Sequence, residues 1–362
     1  MPYYPDQRFA SRLISFTREC LLPESAVGRV RVKDGALVDI RDVVAKGFMP
    51  SRLHIIEAAE ILGLKDKANV DRMLLVDRGQ MVKEKTPIAG KDRKKGKRIL
   101  APTQGMIVKT DPLSGRIIFR EQPQMINLQA GVQGEVVRYY PNRGVGIQAV
   151  GAIVQGVWGN NDSQHISTLK IEPKDGIESI ITDQFDTNFR GAIVVTYRPL
   201  KRISLELASQ QNIIGIIAPS MDADLIALAE EVPTSLMLTE GFGQMTMNHE
   251  TFSMLKEFDG YQVTIDAYQP RPWEPRRPEV IISRIAPADS HPPAPNFKIQ
   301  LAVGMTVRVT QQPFLGQLGT VQSLPLKTQK IQNGLRVPVA NVQLIAGERV
   351  NIPLTDLELV GR

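Results

Sequence analysis

The spacing of apolar and polar positions changes several times along this chain of 362 residues. Phe9, Leu13 and Phe16 recur at helical spacing, which predicts a short amphipathic helix over residues 6–20, within an N-terminal segment 1–24. From residue 25 the period drops to two. Residues 30–38 read Val-Arg-Val-Lys-Asp-Gly-Ala-Leu-Val, and residues 74–82 read Leu-Leu-Val-Asp-Arg-Gly-Gln-Met-Val. Each is a strand, a charged turn with glycine, and a second strand, because glycine supplies the positive φ that tight turns need. Val32, Gly35, Val38 and Ala45 return as Val76, Gly79, Val82 and Ala89 at an offset of 44. Ala101, Gly105, Val108 and Gly115 return as Ala130, Gly134, Val137 and Gly144 at an offset of 29. Two such coincidences point to an internal duplication. Between the first two units, Leu53–Leu64 reads as an inserted helix ending near Gly63. The uncharged run from Gly144 to Asn161 holds five glycines and reads as strands rather than a membrane span.

From Gly191 strands and helices alternate with short links. Strands are expected at Ala192–Thr196, Ile213–Ala218, Thr234–Thr239 and Tyr261–Ala267. Helices are expected at Ile203–Gln211, Asp222–Glu231 and Glu250–Phe258. This order predicts a small, largely parallel layered domain over 185–268. Eight prolines between Pro270 and Pro295 make 269–297 a semi-rigid linker, with room for one strand near Val280–Ile285. The expected class is therefore a multidomain β-rich α+β protein.

Charge sharpens the picture. The net is +6, and Lys83–Arg98 alone holds eight basic and two acidic residues. From Lys298 to the C-terminus there are seven basic and three acidic residues, while Asp222–Asp259 holds eight acids and one lysine. A basic loop and a basic tail thus flank an acidic middle, and phosphate-bearing partners would be steered to the loop or the tail. The low aromatic content of 6% argues against a broad base-stacking platform. Cys20 is the only cysteine, which excludes an internal disulfide and a cysteine-rich metal site. The N-terminus lacks a signal-peptide pattern, and a cytoplasmic location is expected.

The repeated half-motifs over about 25–150 carry a strand-x2-Gly-x2-Val-x6-Ala element and, at Ile99–Val108, Ile-x-Ala-Pro-x2-Gly-x-Ile-Val. They resemble the barrel-sandwich fold of lipoyl and biotinyl carrier domains, which implies such a domain over 25–172. In that family the modified lysine lies on a hairpin eight residues before the Ala-Pro proline, which is Lys94 here. The family's Met-Lys-Met or Asp-Lys-Ala context is replaced by Arg93-Lys94-Lys95, so the hairpin reads as a positively charged contact. The 185–268 segment resembles, in element order, the swivelling α/β domains of phosphotransfer enzymes. The loop that holds their catalytic histidine is Ala218-Pro219-Ser220-Met221-Asp222 here, with no histidine.

Residues 304–321, with Val307, Val309, Gly316, Gly319 and Val321, resemble the KOW motif of ribosomal proteins and transcription elongation factors. This implies an SH3-like β-barrel over 298–362. Gln312 stands where the family usually has glycine, and Leu324–Val339 is an insertion carrying Lys327, Lys330 and Arg336. That family binds RNA, ribosomal protein or polymerase surfaces.

Lys91, Arg93, Lys94, Lys95, Lys97, Arg98, Arg308, Lys327, Lys330 and Arg336 are accordingly the candidate nucleic-acid contacts. A weaker ligand site is expected from Asp222, Asp224, Glu240 and His249 at the C-terminal edge of the α/β sheet. His54, His165, His249 and His291 show no metal-ligand spacing. No catalytic motif, metal or cofactor is expected. The leading expectation is a non-enzymatic scaffold engaging RNA or a transcription or translation complex. The alternatives are an adaptor subunit of a membrane-associated or multi-subunit complex without nucleic acid, and a carrier or enzyme with a ligand site in the α/β domain.

Overall fold

The computed structural model describes residues 3–92, 94–161, 163–181, 189–271, 276–284, 292–294, 296, 299–331 and 333–360. The protein is β-rich, with several sheets and no closed barrel among the described residues. Its spine is the 12-residue strand Gly144–Gln155. Along one side this strand pairs antiparallel with Ala10–Leu21, from Gly144↔Leu21 to Val154↔Ala10. Along the other side it changes partner. Residues 144–149 pair with Gly134–Tyr140, and residues 151–155 pair with Glu279–Ser283. A Cβ on Gly151 would lie 2.2 Å from the Ile282 carbonyl oxygen, so only glycine lets the second partner close in.

Two expectations are corrected here. Residues 6–20 form strands, not a helix: Asp6–Gln7 and the 12-residue Ala10–Leu21. Ile14, Arg18 and Cys20 are buried with even spacing, and Phe16 is partly buried between them. Ten register pairs with an apolar strand outweigh the local helical spacing. Likewise, Leu53–Leu64 is helical only over Ala58–Leu62, which ends at Gly63 with φ of 66°. Leu53–Ile56 is a strand paired with Arg116–Glu121.

The duplication is present in the hydrogen bonding. Gly35 N–H donates to Val136 O at 2.8 Å, and Gly79 N–H donates to Ile107 O at 2.9 Å. Ala130 N–H donates to Asp42 O at 2.9 Å, and Ala101 N–H donates to Thr86 O at 2.8 Å. Val38↔Gly134 pairing is matched by Val82↔Gly105. The bulge between Val136 and Arg138 is matched by one between Ile107 and Lys109. Every one of these matches follows the same two sequence offsets. Each unit has its own core. One contains Val38, Val44, Val136 and Ile147; the other contains Val82, Ile88, Ile107 and Phe119.

The two units are nested. In the first, Val43–Met49 pairs with Gln124–Gln129; in the second, Pro87–Gly90 pairs with Arg98–Leu100. The second unit fills the chain between the first pair. The basic loop 91–97 fills the corresponding link of the second pair, and so sits at the tip of the nested hairpin.

Beyond the spine, Gln164–Ile171, Ile193–Val195, Gly215–Met221 and Ser235–Phe242 lie parallel in that order. Helices Arg202–Gln210 and Ile226–Glu231 cover one face, where Ile216, Ala218, Leu236 and Leu238 point. Helix His249–Glu257 covers the other, with Ile193, Val195, Ile217 and Met237. The elements foreseen for 192–267 therefore lie close to their expected positions. Antiparallel Gln262–Asp266 and Glu279–Ser283 join this sheet to the spine. The 269–297 segment is thus more than a linker, because Val280, Ile281 and Ile282 are core residues.

At the C-terminus, Thr306–Val309, Leu318–Ser323, Val339–Leu344, Arg349–Pro353 and Leu357–Leu359 form an antiparallel sheet over a core that includes Val307, Val321 and Val342. Asp6–Gln7 adds a parallel edge strand against Leu357–Leu359. Among the described residues, no helix is long and apolar enough to cross a membrane.

Gly151→Val should lower stability by about 3 kcal/mol, because the obstructing atom is main chain and cannot swing aside. The urea midpoint should fall with an unchanged m-value.

Candidate functional site

The tip of the nested hairpin is built by short-range chemistry. Asp92 Oδ1 accepts from the Lys94 N–H at 2.6 Å and from the Lys95 N–H at 3.3 Å, an Asx-type turn. Gly96 takes φ of 83°, which the return of the chain requires. Arg98 Nη1 donates to the Lys94 carbonyl at 3.2 Å, tying the two ends of the loop together. Lys91, Lys94, Lys95, Lys97 and Arg98 are all exposed, whereas Ile99 beside them is buried in the unit core. Arg93 lies outside the described residues. Lys97 Nζ lies beside Gly63, at the C-terminal end of helix Ala58–Leu62, where the helix dipole favours a cation. Among the described residues, no carboxylate forms an ion pair with Lys91, Lys94, Lys95 or Lys97.

A second basic hairpin projects from the C-terminal sheet. Gln329–Lys330 pairs with Arg336–Val337, which sets Lys330 directly opposite Arg336. Like charges in that position are unfavourable unless an anion or solvent separates them. Lys327, Lys330 and Arg336 are exposed, and Leu326 and Leu335 are exposed with them. No acidic residue occurs in Leu324–Val339.

Arg308 is not an open phosphate contact. It is buried at 9% exposure and ion-paired with Glu240 and, at 3.5 Å, with Glu358. Glu358 also accepts from Nε and Nη2 of Arg8, whose Nη1 donates to the Thr239 carbonyl. Four alternating charges thus join the N-terminal segment, the α/β sheet and the C-terminal sheet. Residues assigned from sequence to two different sites, Arg308 and Glu240, are one contact, with a cavity of about 40 Å³ beside it that also touches Gln155, Asn248 and Thr251.

Consequently the weak ligand set does not converge. Asp222 accepts from Gln244 Nε2 at 2.8 and 2.9 Å. Asp224 and His249 are exposed, and of the four residues only Glu240 lines the cavity.

Sequence reasoning passed over a second buried charged group. Arg18 is buried at 7% exposure and reaches Glu279 at 2.6 Å and Asp266 at 3.2 Å. Arg276 adds a contact to Asp266 at 2.7 Å. Burial pushes the Glu279 carboxyl above its ordinary range, against the opposing pull of Arg18. Its sequence signal was an arginine on the inward side of a strand. Among the described residues, no group of three or more His, Cys, Asp or Glu side chains is placed to hold a metal ion.

The chain matches no protein-family model and no curated protein.

Arg308→Met should cost about 3–5 kcal/mol, because it strands the buried Glu240 carboxylate. Adding Glu240→Leu should recover most of that loss. Chemical denaturation of the two variants checks both signs.

Proposed function

We propose that this protein is a non-enzymatic scaffold that holds a polyanion, RNA in the first instance, at the tip of its nested hairpin. The observation that carries the reading is the tip itself: exposed Lys91, Lys94, Lys95 and Lys97, with no ion-pair partner among the described residues, on a loop ordered by Asp92. Four exposed lysines on one ordered loop outnumber its single carboxylate, Asp92, and such an excess of cations favours phosphate, each contact displacing condensed counterions. Such contacts position a nucleic acid without reading its sequence, so binding should be weakly sequence-selective.

In this reading the two nested units are barrel-sandwich modules of the lipoyl and biotinyl type, and the hairpin that carriers use for a modified lysine serves as the polyanion contact. The C-terminal sheet is then a KOW-like, SH3-type module, with Lys327, Lys330 and Arg336 as a secondary contact. Its exposed leucines support a second reading, in which this hairpin docks on protein within a multi-subunit complex without nucleic acid.

Changing Lys91, Lys94, Lys95 and Lys97 together to serine should weaken binding of single-stranded RNA roughly tenfold or more at low salt. It should also flatten the log–log salt dependence by about 3, from roughly 0.7 per phosphate contact. Fluorescence anisotropy across a salt series reads both quantities. Absence of RNA binding by the unaltered chain at low salt would remove the nucleic-acid reading and leave the protein-docking one.

A further inference from the structure

Protein interiors hold few voids larger than a water molecule. In this chain a cavity of about 280 Å³ lies where three parts meet. Phe9 and Ile14 line it from the N-terminal segment, and Leu359 and Val360 from the end of the C-terminal sheet. Pro293, Ala294 and Ile299 of the proline-rich region form the third wall. Main chain ties that wall at both ends. Ser15 N–H donates to the Pro293 carbonyl at 3.1 Å, and Leu301 N–H donates to the Tyr3 carbonyl at 2.8 Å. Phe9, Ile14 and Ile299 are buried, whereas exposed Pro293 and Ala294 mark the mouth.

Water is a poor occupant of such a space, because a held water needs several polar partners. Polar side chains reach the lining only from Arg8, Ser11 and Asn296. Ser11 Oγ already donates to the Leu13 carbonyl at 3.4 Å. A concave, mostly apolar space with few polar groups, at a junction between parts of a chain, is the usual form of a small-molecule site. Volume sets the scale of the occupant. A dry cavity of roughly 150 Å³ takes benzene, so in proportion 280 Å³ takes about eleven heavy atoms.

Arg8 sets the chemistry of the polar end. Its Nε and Nη2 donate to Glu358 and its Nη1 to the Thr239 carbonyl. Those bonds leave roughly two of its five N–H donors for an oxygen in the cavity. Its charge, however, is already balanced. Arg8 and Arg308 face Glu358 and Glu240, two cations against two carboxylates. A ligand carboxylate would add a third anion to a neutral buried group, and a ligand ammonium a third cation, and neither would have its desolvation offset.

We propose that this cavity binds an uncharged, largely apolar small molecule of about eleven heavy atoms, with one oxygen that accepts from Arg8. The site stands apart from the basic tip and from whatever the tip holds. Its walls come from the N-terminal segment, the proline-rich region and the C-terminal sheet, so an occupant ties the three together and stabilises the fold by mass action.

Titration of the full chain with 1-naphthol, read by its fluorescence and by thermal unfolding, tests the proposal. Binding should saturate at one molecule per chain, and Tm should rise with ligand concentration. Naphthalene, which lacks the oxygen, should bind several-fold more weakly. The 1-naphthoate anion should bind weaker by roughly tenfold or more, because its charge finds no free counter-charge. Ala294→Trp, at the exposed mouth, should fill the entrance. It should lower 1-naphthol affinity by roughly tenfold or more and leave the urea midpoint of the unliganded chain unchanged. Absence of saturable 1-naphthol binding would overturn the proposal. So would naphthalene or 1-naphthoate binding as tightly as 1-naphthol, or full affinity in an Ala294→Trp protein of unchanged urea midpoint.

Discussion

The architecture depends on one strand that changes partners. Over its first half Gly144–Gln155 belongs to the duplicated β unit, and over its second half it belongs to the sheet that continues into the α/β layers. The exchange is possible because Gly151 has no side chain to obstruct Ile282. Ala10–Leu21 runs the whole length of the opposite side and bridges both halves. Arg18 on that strand then reaches Asp266 and Glu279, so the join carries a buried ionic contact as well as a backbone ladder. A buried group of this kind is costly to form alone and costly to break, which favours one arrangement of the strands over its neighbours.

Nesting then decides where charge can be displayed. A unit with its own core is placed in the link between two strands of a related unit, and its own link carries the lysines. In the acidic segment Asp222–Asp259, Glu240 is already neutralised by Arg308. Within the chain, buried charges are paired with each other, and the tip lysines are left exposed to solvent.

Legibility in the sequence followed the range of the interactions. The repeat was readable because glycine turns and bulges are local demands, and Gly35 and Gly79 meet the same one with φ of 73° and 80°. The α/β elements were readable because period and length agree there. The tip was readable as a run of charge. Residues 6–20 were not, because the partner that makes them a strand lies more than a hundred residues away. Arg18 at an inward position also hid the alternation, since its counter-charges come from Asp266 and Glu279. Arg308 and Glu240 were assigned to separate sites for the same reason: their pairing exists only in three dimensions.

The central claim is that the spine is a rigid support and that the nested tip is the working surface. Hydrogen exchange of the full chain, with and without single-stranded RNA at low salt, tests it most directly. The account predicts new protection over residues 90–98, a smaller effect over 326–337, and no change along Ala10–Leu21 or Gly144–Gln155. Protection at the C-terminal edge of the parallel sheet, with the tip unaffected, would contradict it.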